Sequence, residues 1–170
     1  MALADELRLV LPVADPENGD ALSVVSDVAE LAAIMSPLVQ DIAAGLVRHN
    51  AKSEVLVSWE KSPEEWLRHD WCTGDWAAVV RTKAGVAGVA IILKRIDPAT
   101  VETAYFVGVP AWTLTLRRAL WDVGFRRWTG VLHPGVSATR RVGLRAVGYA
   151  LLPPLPNGYV PVRLMMAVRP

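Results

Sequence analysis

Between residues 75 and 125 the hydrophobic period of the chain changes once, and that change restricts the available folds more than any other feature. The runs "DWAAVVRT", "GVAGVAIILKR" and "TVETAYFVGV" are apolar, β-rich segments separated by short turns at Lys83–Gly85 and Asp97–Pro98, which predicts three successive strands. The next segment, "PAWTLTLRRALWDVGF", returns to helical spacing, with Trp112, Leu116, Ala119, Leu120 and Val123 on one face. Three strands followed by a helix then lead to "RRWTGVLH", read as a further strand, "SATRRVGLRAV", read as a helix, and the strands "YALL" and "YVPVRLMMAV".

On the amino-terminal side, "ELRLVLPVAD" alternates and predicts a first strand ending at a turn around Pro16–Asp20. In "SDVAELAAIMSPLVQDIAAGLV", Val28, Leu31, Ala32 and Met35 recur at helical spacing after Ser26 as N-cap, and Pro37 is expected to split or kink the helix. "SPEEWLRHDW" carries another helix start, with Ser62 as cap, Pro63 in the first turn and Glu65 three residues after the cap. The order predicts an α/β (α+β) fold in which helices cover a mixed sheet. There is no repeat, low-complexity stretch or linker, so residues 1–170 read as a single domain.

Composition excludes several classes of function. Cys72 is the one cysteine, so no internal disulfide forms and a reducing compartment or a virus particle is expected. The first residues lack the basic start of a secretory signal, and "GVAGVAII" is far shorter than the roughly 20 residues of a membrane span. Net charge is +1 but polarised: residues 1–60 hold ten acids against three Lys/Arg, and from Arg117 to Arg145 there are seven arginines and one acid, Asp122. Such a chain suits head-to-tail docking or a partner of opposite sign, and without a recognised motif it does not predict sequence-specific nucleic-acid binding.

The stretch "HPGVSATRRVGLRAVGY" at 133–149, together with the strands "AGVAGVAIIL" and "VETAYFVGV", resembles the Gcn5-related N-acetyltransferases (GNAT). Ser137 stands where that family has an Asn opening the last helix, and Gly148–Tyr149 stand at its Gly-Phe. The resemblance implies a GNAT-like mixed sheet of about seven strands with four flanking helices. It also covers the layout of the acetyltransferase-like internal virion proteins of podovirus-type bacteriophages. The family's phosphate loop, Arg/Gln-x-x-Gly-x-Gly/Ala, lets backbone N–H groups at a helix N-terminus close on the cofactor pyrophosphate. Here Thr113 falls at the Arg/Gln position, and Leu116 and Arg118 replace glycines. Leu144 stands where many members place the tyrosine that protonates the leaving thiolate, and it has no proton to give.

These departures predict a non-catalytic module with no cofactor, a virion component contacting other virion proteins or itself, located in the virion or the host cytoplasm. The alternative is an acetyl-CoA-dependent N-acetyltransferase with an unconventional loop, the cofactor lying along Val107, Val109, Thr113, Thr115 and Ser137. Interaction candidates are Trp66 and Trp71 on their helix and the pairs Arg117–Arg118, Arg126–Arg127 and Arg140–Arg141, since Trp and Arg anchor interfaces. A base could be sought in Glu102, but alternation only puts Glu102 and Tyr105 on opposite faces, and no catalytic residue is expected. His69, Asp70 and Cys72 lack the spacing of a metal site, and no pattern around Cys72 activates its thiol. Gly85 and Gly88 precede no helix, so they make no dinucleotide fingerprint.

Overall fold

The computed structural model describes residues 1–11, 13–14, 21–43, 63–83, 86–108, 113–132, 134–136 and 138–170. The chain begins with a helix, α1 (Leu3–Arg8), not with the strand that its alternation predicts. Leu3, Ala4, Leu7 and Leu11 are buried at helical spacing. Asp5 and Glu6 lie in the first turn and Arg8 in the last, as the helix dipole favours. The first N–H is capped from afar: Leu3 donates to Asp75 Oδ1 at 2.8 Å. The strands on this side are instead β1 (Val13–Ala14) and β2 (Ala21–Val25).

Helix α2 (Val28–Ala43) continues through Pro37 as one element. Its N-cap is Asp27, whose Oδ1 accepts the Glu30 N–H at 2.8 Å, while the Ser26 hydroxyl accepts Arg8 Nη2 at 2.6 Å. The lost hydrogen bond at Pro37 is offset by Leu31, Met35 and Leu38, all buried against the sheet. Helix α3 starts as an α turn, Pro63–Trp66, and widens into a π turn, Leu67–Trp71, closed by the Cys72 N–H on Leu67 O at 2.7 Å. The expected cap Ser62 lies outside the described residues.

Strands β3 (Trp76–Lys83), β4 (Val86–Asp97) and β5 (Thr100–Gly108) form the expected meander; Ala84 and Gly85 lie outside the described residues. Helix α4 (Thr113–Asp122), β6 (Arg127–Leu132), α5 (Ala138–Ala146), β7 (Ala150–Leu151) and β8 (Val160–Met165) follow. One sheet runs β1-β2-β3-β4-β5-β6-β8-β7, antiparallel throughout except where β5 lies parallel to β6. Eight strands and five helices among the described residues thus exceed the expected seven and four: β1 falls within the segment expected as the first strand, and α1 and β2 are the additions.

Helices α1, α4 and α5 bury one face of the sheet around Leu93, Val101, Phe125 and Trp128. Helices α2 and α3 bury the other around Ile92, Leu67 and Tyr105. Both α4 and α5 stop at a glycine followed by an aromatic residue. Gly124 (φ +109°) and Gly148 (φ +98°) adopt a conformation that L side chains rarely take. Phe125 and Tyr149 then return their N–H groups to Leu120 O and Leu144 O, both at 3.0 Å, and bury their rings. No helix among the described residues is long and apolar enough to cross a membrane.

The β4–β5 register holds one irregularity that governs the site. Leu93 pairs with Thr103 and Ile92 with Tyr105, so Ala104 is an extra residue in β5. A bulge of this kind shifts the alternation by one position. Glu102, paired with Lys94, and Tyr105, paired with Ile92, therefore lie on the same face of the sheet, the one covered by α2 and α3. The expectation that they face opposite ways fails for this reason.

Candidate functional site

Beside the bulge the sheet opens. β5 and β6 pair only at Thr100–Arg127, Val101–Trp128 and Glu102–Thr129, although β5 continues to Gly108 and β6 to Leu132. At the apex Trp128 Nε1 donates to Thr103 Oγ1 at 2.8 Å, tying the two strands where their ladder stops. Beyond the apex β6 stays paired with β8 and β5 with β4, so the sides of β5 and β6 that face each other border a wedge. Unpaired main-chain groups along an open strand side can hold an extended ligand that carries amides of its own. After β5 comes α4, whose first-turn N–H groups have no partners within the helix and favour an anion.

The residues expected to line a cofactor are distributed along this path. Val107 is on β5, opposite Ala90, and Thr113 opens α4. Thr115 is buried in the first turn of α4. Val109 and Ser137 lie outside the described residues. Leu116, 1% exposed, points into the core beside Leu120 and Phe125. Arg118 turns to the chain end, its Nε donating to Pro170 O at 2.9 Å. Leu144, at the family's acid position, is 6% exposed and belongs to the same core. Tyr149 does not replace it, because it packs edge-on behind Trp128 with ring centroids 6.2 Å apart. Burial pushes its phenol up to about 12, against the pull of Arg117 and Arg140.

On the opposite face, Glu102 sits at the apex, half-buried, with no ion pair or hydrogen bond among the described residues. Its cross-strand neighbour Lys94 is drawn off to Thr73 Oγ1 at 2.8 Å. Next to it stands an aromatic wall. Trp66, Trp71 and Tyr105 meet with centroids 5.2–5.6 Å apart. The π turn makes this possible. At about 100° per residue, an α-helix would set positions 66 and 71 about 140° apart, whereas the wider π turn brings residues five apart closer to one face. Both tryptophans are thus half-buried against β5, and the surface they offer to a partner is partial. Cys72, in the same cluster, has its thiol pushed up to about 11 by burial, which removes it as a nucleophile at neutral pH. No group of three His, Cys, Asp or Glu among the described residues is placed to hold a metal.

Two of the arginine pairs meet at Tyr149, through Arg117 and Arg140, whereas Arg126 and Arg127 have other partners. Arg117 reaches Val147 O and lies over the Tyr149 ring, and Arg126 caps Trp121 O at 3.0 Å with its guanidinium 3.6 Å from that ring's centre. Arg127 contacts Thr100 Oγ1 at 3.2 Å and approaches Asp97 at 4.0 Å, while Arg141 reaches Pro134 O at 3.4 Å. Arg140 lies near Tyr149. Several of these side chains serve helix ends and loop carbonyls, and the acid of the segment, Asp122, is held by Arg169 at 2.8 and 2.9 Å.

No protein-family model and no curated protein matches the sequence. Solved structures match in fold. The ribosomal-protein-S18-alanine N-acetyltransferase of Escherichia coli is similar with a TM-score of 0.60 at 12% identity, over 88% of this chain and 95% of that one. A probable GNAT-family acetyltransferase of Chromobacterium violaceum gives 0.62 at 13%, over 91% and 92%. The PaiA N-acetyltransferase of Thermoplasma acidophilum, solved in complex with coenzyme A, gives 0.56 at 13%, over 85% and 98%. At these identities the likeness concerns the fold alone. The chain has the GNAT fold: a mixed α+β sheet that divides between β5 and β6.

Proposed function

We propose that this chain is an acyl-CoA-dependent N-acyltransferase whose acceptor amine is deprotonated by Glu102. The observation that carries the reading is the bulge at Ala104. It stands two residues beyond the last β5–β6 pair and leaves Glu102 and Tyr105 together on the face opposite α4 and α5. The residues fit the cofactor in two respects: β5 offers an open strand side to the amides of an extended arm, and α4 offers first-turn N–H groups to phosphate. When bound, the thioester supplies the activated acyl group. The side chains at the expected glycine positions do not stand in the way, since Leu116 enters the core and Arg118 goes to Pro170. Glu102 takes a proton from the amine. Leu144, in the acid position, has no proton to give, so the proton taken up by Glu102 would return to the leaving sulfur through water.

Calorimetry with acetyl-CoA tests this. A Kd below about 1 mM, or roughly 4 kcal/mol, is expected. Glu102→Gln should leave that Kd unchanged and lower kcat by about 100-fold or more. Absence of binding overturns the reading.

The second reading is a GNAT-fold interaction module without acyl transfer, docking on other protein subunits, including virion proteins, or on itself. It is favoured by the arginine-rich surface from Arg117 to Arg145, whose acid is already engaged by Arg169. Under it, acetyl-CoA does not bind, and Arg141→Glu with Arg145→Glu weakens association and flattens its salt dependence.

A further inference from the structure

Two buried donors on the α2–α3 face have no counterpart. Trp71 Nε1 and the Tyr105 hydroxyl are closed off from solvent and make no hydrogen bond among the described residues. Tyr105 is 8% exposed, and burial raises its phenol well above the ordinary value, so it keeps its proton at neutral pH. Neither atom makes a polar contact that the packing uses, and at 105 a phenylalanine ring would fill the same space without leaving a polar group unpaired. An orphaned buried donor destabilises a fold by about 1–3 kcal/mol. Two of them in adjacent rings, centroids 5.3 Å apart, in a segment held by a π turn, indicate a site completed by something else.

We infer that Trp71 Nε1 and Tyr105 Oη form a two-donor seat for an oxygen of the acceptor substrate, so that the acceptor is an amine that also carries a carbonyl group. This rests on the acyltransfer reading above. An indole N–H only donates, and a buried phenol is still free to donate, so the complementary group must supply lone pairs. A carbonyl oxygen supplies two. Lys94 and Ile92, the partners of Glu102 and Tyr105, are two residues apart on β4, which sets the Cα atoms of Glu102 and Tyr105 about 7 Å apart on one face. An acceptor can therefore place its nitrogen toward Glu102 and its oxygen toward the seat. Entry requires the half-buried Trp66 ring, which meets both other rings, to swing aside.

The test compares glycinamide with propylamine, two primary amines of similar size of which the first carries a carbonyl. Because the amide lowers the basicity of the amine and so favours glycinamide in either protein, the readout is the change in ratio: with acetyl-CoA as donor, Trp71→Phe with Tyr105→Phe should lower the glycinamide-to-propylamine ratio of kcat/KM by about tenfold or more. The double variant should bind acetyl-CoA as the wild type does, and Tyr105→Phe alone should melt no lower, since it removes an unpaired donor and leaves the ring contacts in place. A ratio that is the same in the double variant as in the wild type overturns the inference. A readout independent of turnover separates this from the parent reading. In ¹⁵N–¹H spectra, glycinamide but not propylamine should shift the indole resonance of Trp71, assigned from Trp71→Phe. A shift without acetyl-CoA turnover keeps the seat and sinks the transferase. Turnover without the shift or the change in ratio does the reverse.

Discussion

Replacing Asp75 by alanine should weaken the hold of the sheet on α1. Asp75 Oδ1 accepts the Leu3 N–H at 2.8 Å and Oδ2 accepts Arg95 Nε at 2.8 Å, while Arg95 also holds Glu6 Oε2 at 2.7 Å. Loss of the cap on a helix N–H costs about 1 kcal/mol. Loss of a charge-assisted bond would cost about 1.5–3 kcal/mol, but Asp75 is 35% exposed and Arg95 keeps Glu6, so about 1 kcal/mol is the fitting share. The total is about 2 kcal/mol, which for a chain of this size lowers Tm by about 4–8 °C. Urea denaturation monitored by tryptophan fluorescence would read it directly. Asp75→Asn keeps an acceptor for Leu3 and should lose about half as much. In a cycle with Glu6→Gln, the double variant should differ from the sum of the singles, because both carboxylates grip one guanidinium. A loss under about 0.5 kcal/mol for Asp75→Ala, in the range of an ordinary surface change, would refute the assignment of Asp75 as the cap of α1.

Gly148→Ala forces a φ of +98° on a side-chain-bearing residue and brings its Cβ to 3.4 Å from Leu164 Cδ1; a loss of about 1–2 kcal/mol in urea is expected. Gly124→Ala, at φ +109° with nothing within 4 Å, should lose the strain alone, so a larger effect at 124 than at 148 would contradict this account. Tyr149 has its pKa raised from 10.0 to about 12 by burial, so the stability tied to its neutral form is complete below pH 10 and is lost as pH rises through about 12. Urea midpoints measured across that window should fall less steeply in Tyr149→Phe than in the wild type.

The periodicity of residues 75–151 was legible because each element there satisfies its own local chemistry. Strands β3 to β5 are apolar with short connections, and α4 and α5 each end on a glycine whose positive φ and following aromatic ring complete the helix stop within a few residues. Helix α1 was not legible, for the opposite reason. Its cap and its ion pair come from Asp75 and Arg95, and the alternation of "ELRLVLPVAD" is a strand pattern in isolation. Burial of Leu3, Leu7 and Leu11, each stabilising by about 1.5–3 kcal/mol, outweighs that local preference. At Pro37 local chemistry again misleads, because packing on the sheet carries α2 past a residue that cannot donate.

The site was partly hidden by a single residue. Alternation places side chains correctly only while every residue of a strand has a partner, and a bulge is a property of two strands rather than one. Nothing in "VETAYFVGV" marks Ala104 as the unpaired position; only the pairing of Leu93 with Thr103 and Ile92 with Tyr105 shows it. The same shift that brings Tyr105 to the side of Glu102 also delivers its ring to Trp66 and Trp71, and those two share a face only because α3 widens by one residue. Two local irregularities, one in a strand and one in a helix, thus assemble a carboxylate and two unpaired donors on one side of a dividing sheet. Residues judged singly by type, such as Leu116 and Leu144, argue against chemistry here. Residues judged by placement argue for it, because catalysis depends on which groups converge on the reacting atoms.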